Sequence, residues 1–138
     1  MTEKVIVITT DNKIFIKELE IIDGSMLEGL QQIVGGYIEN VRPMNLEDPL
    51  MFVCNEEGLI RGLPVNTVGS ILYGTYQHGF PIVGDIAIVQ QGWRDGEPDI
   101  VGLPDNVIEH VYSQFIEKYS ILEEISQECE SERSTNND

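Results

Sequence analysis

The sequence predicts an α+β fold in a single domain, and three observations lead to that prediction. The chain has 138 residues, which suits one compact domain. Short runs of β-branched and aromatic residues, separated by turn residues, predict strands. Three stretches with apolar residues at helical spacing predict helices between and after these strands. We therefore expect a mostly antiparallel sheet with the helices on one of its faces and a long C-terminal helix.

The first predicted elements are a β-hairpin and a helix. Residues 5–10 and 13–19 are two strand-forming runs with turn residues between them. Ser25 and Glu28 have the spacing of a capping box, so we expect the helix to begin at Ser25. Its apolar pattern stops at Gly35-Gly36, where one of the two glycines is expected to end the helix in the left-handed conformation.

The middle of the chain is predicted to complete the sheet. Residues 37–41 and 50–54 are strand-like and are joined by a loop with two prolines. Asn66 is a candidate cap for a short helix. Residues 80–89 predict a strand that is interrupted at a Gly-Asp pair and closes the sheet, and residues 91–98 predict a polar loop.

The C-terminal part is predicted to be a long helix followed by a disordered acidic tail at 123–138. The helix is expected to start near Asp105, and the single globular domain is expected to span residues 1–122. One face of the helix is wide enough to cover a sheet or to form a homodimer through residues 107–122. Its apolar stripe consists of Val107, Ile108, Val111, Tyr112, Phe115, Ile116, Tyr119 and Leu122.

Charge and cysteine content exclude several classes of function. There are 8 Lys and Arg against 24 Asp and Glu, a formal net charge of −16. This charge disfavours nucleic acid and anionic membranes as partners and favours a basic partner, although acidity also serves solubility alone. Cys54 and Cys129 fit neither a disulfide framework nor a metal site. With no signal peptide and no apolar span, we expect a cytoplasmic protein without a membrane association.

Four phrases of the chain resemble a family of small proteins of unknown function that are common in bacteriophages and mobile elements. The phrases are Leu-Gln-Gln-Ile-Val-Gly-Gly-Tyr-Ile-Glu at 30–39, Cys-Asn-Glu-Glu-Gly at 54–58, Leu-Pro-Val-Asn at 63–66 and Pro-Ile-Val-Gly-Asp at 81–85. The resemblance covers about residues 4–90, so residues 91–122 are expected to form a C-terminal extension. It implies an origin in a phage or mobile element, and it implies no chemistry.

Two groups of residues are candidates for function. Asn55, Glu56 and Glu57 place two acids at a strand end, where paired carboxylates can divide acid and base roles in a hydrolase. A second group combines aromatic and arginine side chains, which anchor partner surfaces and anionic ligands. It consists of Tyr37, Arg42, Arg61, Asn66, Tyr76, Trp93 and Arg94.

Three functions are open from these residues. The first is a non-enzymatic phage-type binding protein that occupies a basic host protein, for example a defence protein. The second is a protein that binds a phosphate-bearing small molecule such as a nucleotide signal, with an arginine on the phosphate and an aromatic ring on the base. The third is an acid-base hydrolase. We expect no catalytic residue, metal or cofactor, since no ligand spacing or phosphate-loop lysine is present.

Overall fold

The fold is built on a six-stranded antiparallel sheet, seen in a computed structural model that describes residues 1–118. The strand order is β2-β1-β5-β4-β3, and β6 pairs with the C-terminal half of β5. The strands are β1 (Thr2–Ile8), β2 (Ile14–Glu20), β3 (Ile38–Val41), β4 (Leu50–Asn55), β5 (Ile86–Arg94) and β6 (Glu97–Val101). The helices are α1 (Leu27–Val34), α2 (Thr67–Tyr73), α3 (Thr75–His78) and α4 (Asp105–Lys118). The α+β class, the single domain and the antiparallel sheet are confirmed.

Helices cover both faces of the sheet, so the prediction of helices on one face is wrong. Along β1, Val5 and Val7 point to a cluster with Leu30 of α1. The alternate residues Ile6 and Ile8 point to the opposite cluster, which contains residues of α2 and α4. Because side chains alternate across a strand, only strands buried on both faces carry unbroken apolar runs. The apolar runs in β1, β4 and β5 have this cause.

The strand β5 lies in the middle of the sheet. Its residue Ile88 is paired with Ile6 of β1 on one side and with Phe52 of β4 on the other. The predicted strand at 80–89 that closes the sheet is therefore wrong in both start and position. Residues 80–85 form an irregular segment with one isolated bridge, between Val65 and Val83, and the strand begins at Ile86.

The predicted loop at 91–98 is instead a β-hairpin formed by β5 and β6. Its turn residues Asp95 and Gly96 have φ angles of 53° and 81°. Positive φ at both central residues is the geometry of the tight hairpin turns that favour Asp-Gly. The pair was present in the sequence and was the signal for this hairpin.

The helix ends follow local chemistry, with one exception. The capping box at Ser25 is wrong, because α1 begins at Leu27 and Ser25 Oγ accepts a hydrogen bond from Leu27 N–H at 3.0 Å. A left-handed glycine ends α1 as predicted, and of the pair Gly35-Gly36 it is Gly35, with φ 77°. The C-terminal helix begins at Asp105 as expected, and Ile108, Val111 and Phe115 pack into the core. Tyr119, Leu122 and the acidic tail at 123–138 lie outside the described residues.

Candidate functional site

Asn55 ties the end of β4 to the end of α1. Its side chain is buried; Nδ2 donates to Val34 O at 3.0 Å, and Oδ1 accepts from Glu57 N–H at 2.8 Å. The first bond satisfies a carbonyl at the helix end, and the second closes the turn after the strand. Asn55 therefore supports the surface around it and contributes little exposed area of its own.

Gly36 allows a close approach between α1 and this turn. A Cβ atom at position 36 would lie 2.9 Å from Asn55 Nδ2 and 3.3 Å from Arg61 Nη1. The same guanidinium donates from Nη1 to Gly35 O at 2.9 Å. The phrases at 30–39 and 54–58 thus meet in space, and their glycine and asparagine are explained by packing.

A small pocket of about 290 Å³ opens beside this contact. Four predicted residues line it, namely Tyr37, Asn55, Glu57 and Arg61. Tyr37 is 68% exposed, so its ring is available to a partner. Arg61 points at the carbonyl end of α1 and shares the pocket with Glu57, which makes the pocket a poor site for phosphate.

A larger groove of about 580 Å³ lies on the neighbouring side of the same turn, and we call it the β3 groove. Glu39 and Val41 of β3 pair with Cys54 and Phe52 of β4, so the groove lies on the α2 and α4 face of the sheet. Its outer wall carries three exposed apolar side chains. They are Leu59 (57% exposed), Ile60 (89%) and Phe80 (65%).

These three apolar residues were missed in the sequence. They lie in turn-rich segments, after Gly58 and after Gly79, where apolar side chains have no strand or helix pattern to explain them. That mismatch was the available signal, since an apolar residue in a polar turn is either buried by a distant segment or left for a partner. Their convergence on one groove depends on the tertiary fold.

The charged side chains of the β3 groove are mainly acidic. Glu39 and Glu56 line it and are exposed. Arg42, at its end, lies 3.6 Å from the Asp48 carboxylate, measured from Nη1, and donates to Gln91 Oε1. Burial, and secondarily the nearby Glu39 carboxylate, raise the pKa of the Cys54 thiol to about 11. Cys54 is therefore a protonated, inert part of the groove at neutral pH.

The structure separates Glu56 from Glu57. Glu56 lines the β3 groove, whereas Glu57 lines the small pocket of about 290 Å³ beside Tyr37. A hydrolase of the predicted type needs both carboxylates at one substrate, because one gives a proton while the other takes one. The two acids do not share a cavity here, and the geometry does not favour the hydrolase hypothesis.

Arg42 and Trp93 meet in a third pocket of about 360 Å³. Trp93 is 73% exposed, and Asp48 and Gln91 also line the pocket. The aromatic ring and the guanidinium are the pair expected for a nucleotide site. However, the Asp48 carboxylate already balances the Arg42 charge, which disfavours a phosphate at this place.

Arg94 is held in an ion-pair network that joins β1 to the β5–β6 hairpin. Its guanidinium donates to both Glu3 carboxylate oxygens at 2.8 and 3.1 Å and to Asp99 Oδ2 at 3.0 Å. Glu3 Oε1 also accepts from Gly102 N–H at 2.7 Å. The three predicted arginines, at 42, 61 and 94, therefore point to different partners and do not converge on one ligand.

The pKa of the Glu3 carboxyl is lowered, first by its hydrogen bond from Arg94. A carboxyl whose pKa is lower in the folded state stabilises the fold above its unfolded pKa and loses that effect as the pH falls through its folded pKa. We expect Glu3→Gln to be less stable than the wild type at pH 7, with the gap closing below the ordinary glutamate pKa of 4.5. Urea unfolding over a pH series measures this gap. Glu109→Gln, at an exposed position, is the control, and a pH-independent gap for Glu3→Gln would contradict the expectation.

Two predicted residues lie away from the cavities. Asn66 is fully buried, caps α2 and donates to Ile8 O and Gly84 O, so its amide serves the fold. Tyr76 of α3 is exposed and lines none of the three cavities described above.

Among residues 1–118, no group of His, Cys, Asp and Glu side chains has the arrangement of a metal site. Within the same part of the chain, none of the helices has the length and apolar character needed to cross a membrane.

A family model described as a domain of unknown function, DUF3846, matches residues 1–117. The chain belongs to this family. The match covers all six strands and almost all of α4 in the DUF3846 domain, so residues 91–117 are part of the family's domain and not an addition to a core that ends near residue 90. No curated protein and no solved structure matches the chain.

Proposed function

We propose that this DUF3846 protein is a non-enzymatic binding protein that holds a basic protein surface in its β3 groove. The observation that carries the proposal is the convergence of Leu59, Ile60 and Phe80 on one concave surface beside the Glu39 and Glu56 carboxylates. Exposed apolar side chains that share a concave surface with a polar rim are typical of interaction sites.

The apolar residues and the acids have different roles in this proposal. Burying a leucine, isoleucine or phenylalanine side chain contributes about 1.5–3 kcal/mol, so the wall of the groove supplies affinity. The acids, with a net charge of −16 behind them, attract a basic surface and accelerate its encounter. A partner with basic residues around an apolar one therefore fits the groove.

The resemblance to phage and mobile-element proteins gives this activity a context. We infer that the protein acts in the cytoplasm of a host cell and occupies a basic host protein, as a counter-defence or host-takeover factor would. The unpaired Cys54 thiol is compatible with that reducing compartment.

The experiment is capture from host lysate on the immobilised full-length chain. We expect the wild type to retain a basic protein at low salt and to lose most of it at about 1 M salt, where charges are screened within about 3 Å. The double variant Ile60→Ser and Phe80→Ser should lose the protein at either salt, because its groove has no apolar anchors.

Ile16→Ser is the matched control. Ile16 is also an exposed isoleucine, at 46%, but it lies on β2 at the opposite edge of the sheet from β3. This variant should behave as the wild type. Equal retention by the groove variant and the wild type, or no retained protein at low salt, would contradict the proposed function.

A further inference from the structure

The strand β3 forms one outer edge of the sheet and has β4 as its neighbour on one side. Tyr37 O, just before β3, accepts a hydrogen bond from Glu56 N–H, so Tyr37 and Glu56 form a hydrogen-bonded pair. Hydrogen-bonded and non-hydrogen-bonded pairs alternate in an antiparallel ladder. The N–H and C=O groups of Ile38 and Asn40 therefore point away from β4.

These outward groups are not used elsewhere in the part of the chain that the structure describes. Neither the N–H nor the C=O of Ile38 or Asn40 has a hydrogen bond to another segment within residues 1–118. A row of unpaired backbone donors and acceptors at a sheet edge is a template for another strand. The edge borders the β3 groove, which Glu39, Asn40 and Val41 all line.

We propose that β3 binds an extended segment of a basic protein by adding it to the sheet as a further strand. This inference rests on the proposed function and names its binding mode. The backbone of the segment pairs with Ile38 and Asn40. Its side chains alternate between the two faces of the sheet. The apolar ones enter the β3 groove against the apolar wall, and the basic ones lie on the other face, where the net charge of −16 attracts them.

Charge selects this occupant over a second copy of the chain. Two copies paired through β3 would bring together two proteins of charge −16 and two Glu39 carboxylates at one edge. Like charges across such an interface are unfavourable. The strand β2, at the opposite end of the strand order, carries exposed Lys17, Glu18 and Glu20, and charges of both signs on an edge oppose the addition of strands. A segment with alternating basic and apolar residues suits β3 and not β2.

A proline substitution tests the pairing directly. Because the Asn40 N–H points outward, Asn40→Pro keeps the ladder to β4 but removes the outward donor and places a ring on the edge. Asn40→Ala removes the same side chain and keeps the donor. The probe is the labelled peptide Lys-Val-Lys-Ile-Lys-Val-Lys, titrated into the full-length chain, with the block peptide Lys-Lys-Lys-Lys-Val-Ile-Val as its control.

We expect the alternating peptide to bind the wild type and Asn40→Ala equally, and to bind Asn40→Pro at least about tenfold more weakly. The block peptide should bind all three chains weakly. Equal affinity for Asn40→Pro and Asn40→Ala, or no preference for the alternating peptide, would overturn the inference.

Amide hydrogen exchange of the wild type provides a measurement that does not depend on the folding of a variant. The Ile38 and Asn40 amides should become protected when the alternating peptide is added, since they gain hydrogen bonds. Unchanged exchange at both amides with peptide bound would also overturn strand addition.

The groove variant separates the two proposals. Weaker peptide binding by Ile60→Ser with Phe80→Ser, together with normal binding by Asn40→Pro, would retain the groove and refute strand addition. Normal binding by the groove variant together with weak binding by Asn40→Pro would retain strand addition and refute the groove.

Discussion

Replacement of Asn66 by alanine is expected to lower the free energy of unfolding by about 3 kcal/mol. The Asn66 amide donates to Ile8 O and Gly84 O, each at 2.9 Å, and accepts from Gly69 N–H at 2.8 Å. The side chain is completely buried, so bulk solvent does not reach these groups in the folded protein. Each buried group left without a partner costs about 1–3 kcal/mol, and the lost helix cap contributes to the same sum.

Urea unfolding of the full-length chain measures this change. Asn45→Ala is the matched control, because the Asn45 side chain makes one part-buried bond, from Nδ2 to Ile71 O at 2.7 Å. That single loss should cost about 1 kcal/mol. Equal destabilisation by the two alanine variants would contradict the view that Asn66 joins β1, α2 and the segment before β5.

Replacement of Arg94 by methionine is expected to cost about 2 kcal/mol. Methionine keeps the apolar stem but removes the guanidinium from the Glu3 and Asp99 carboxylates. The Arg94 and Glu3 side chains are 17% and 24% exposed, so solvent only partly compensates the carboxylates left behind. Removing one partner of a fully buried pair costs about 3–5 kcal/mol, and the partial exposure here reduces that figure.

Thermal unfolding at pH 7 should show a fall of about 10 °C in Tm for Arg94→Met. Arg61→Met removes the same group from an exposed position, where it makes one bond to Gly35 O. Its Tm should change by about 2 °C or less. If Arg94→Met were as stable as Arg61→Met, the network between β1 and the β5–β6 hairpin would not support the fold.

The elements that local chemistry determines could be predicted from the sequence. The left-handed Gly35 that ends α1 and the Asn66 cap of α2 both depend on residues within one turn of the helix end. The strands β1 and β4 follow from β-branched or apolar runs of strand length. Such features need no knowledge of the rest of the fold.

Most of the errors concern placement in the sheet, and one concerns the start of a helix. The run Ile-Ala-Ile-Val at 86–89 is unbroken, which is the pattern of a strand buried on both faces, and it would have predicted helices on both faces. The β5–β6 hairpin around the turn at 95–96 was not predicted, because the exposed residues of its strands are polar and lack a strand-like apolar pattern. Ser25 has the capping-box spacing but closes a turn with Ile22 instead.

The candidate site could be predicted only in part. Tyr37, Asn55, Glu57 and Arg61 do lie around one pocket, because β3 pairs with β4 and the turn after β4 carries Glu57 and Arg61 back to the end of α1. The apolar wall of the β3 groove combines the segment after β4 with Phe80, which are brought together by the core and not by their spacing.

The position of β5 between β1 and β4 also determines when a newly made chain can fold. The two hairpins β1–β2 and β3–β4 leave the ribosome before the strand that joins them. Until Ile86–Arg94 has been synthesised, the inner edges of both hairpins stay open to other chains. A product that stops before Ile86 is therefore a substrate for chaperones and proteases, and it is not a smaller version of the domain.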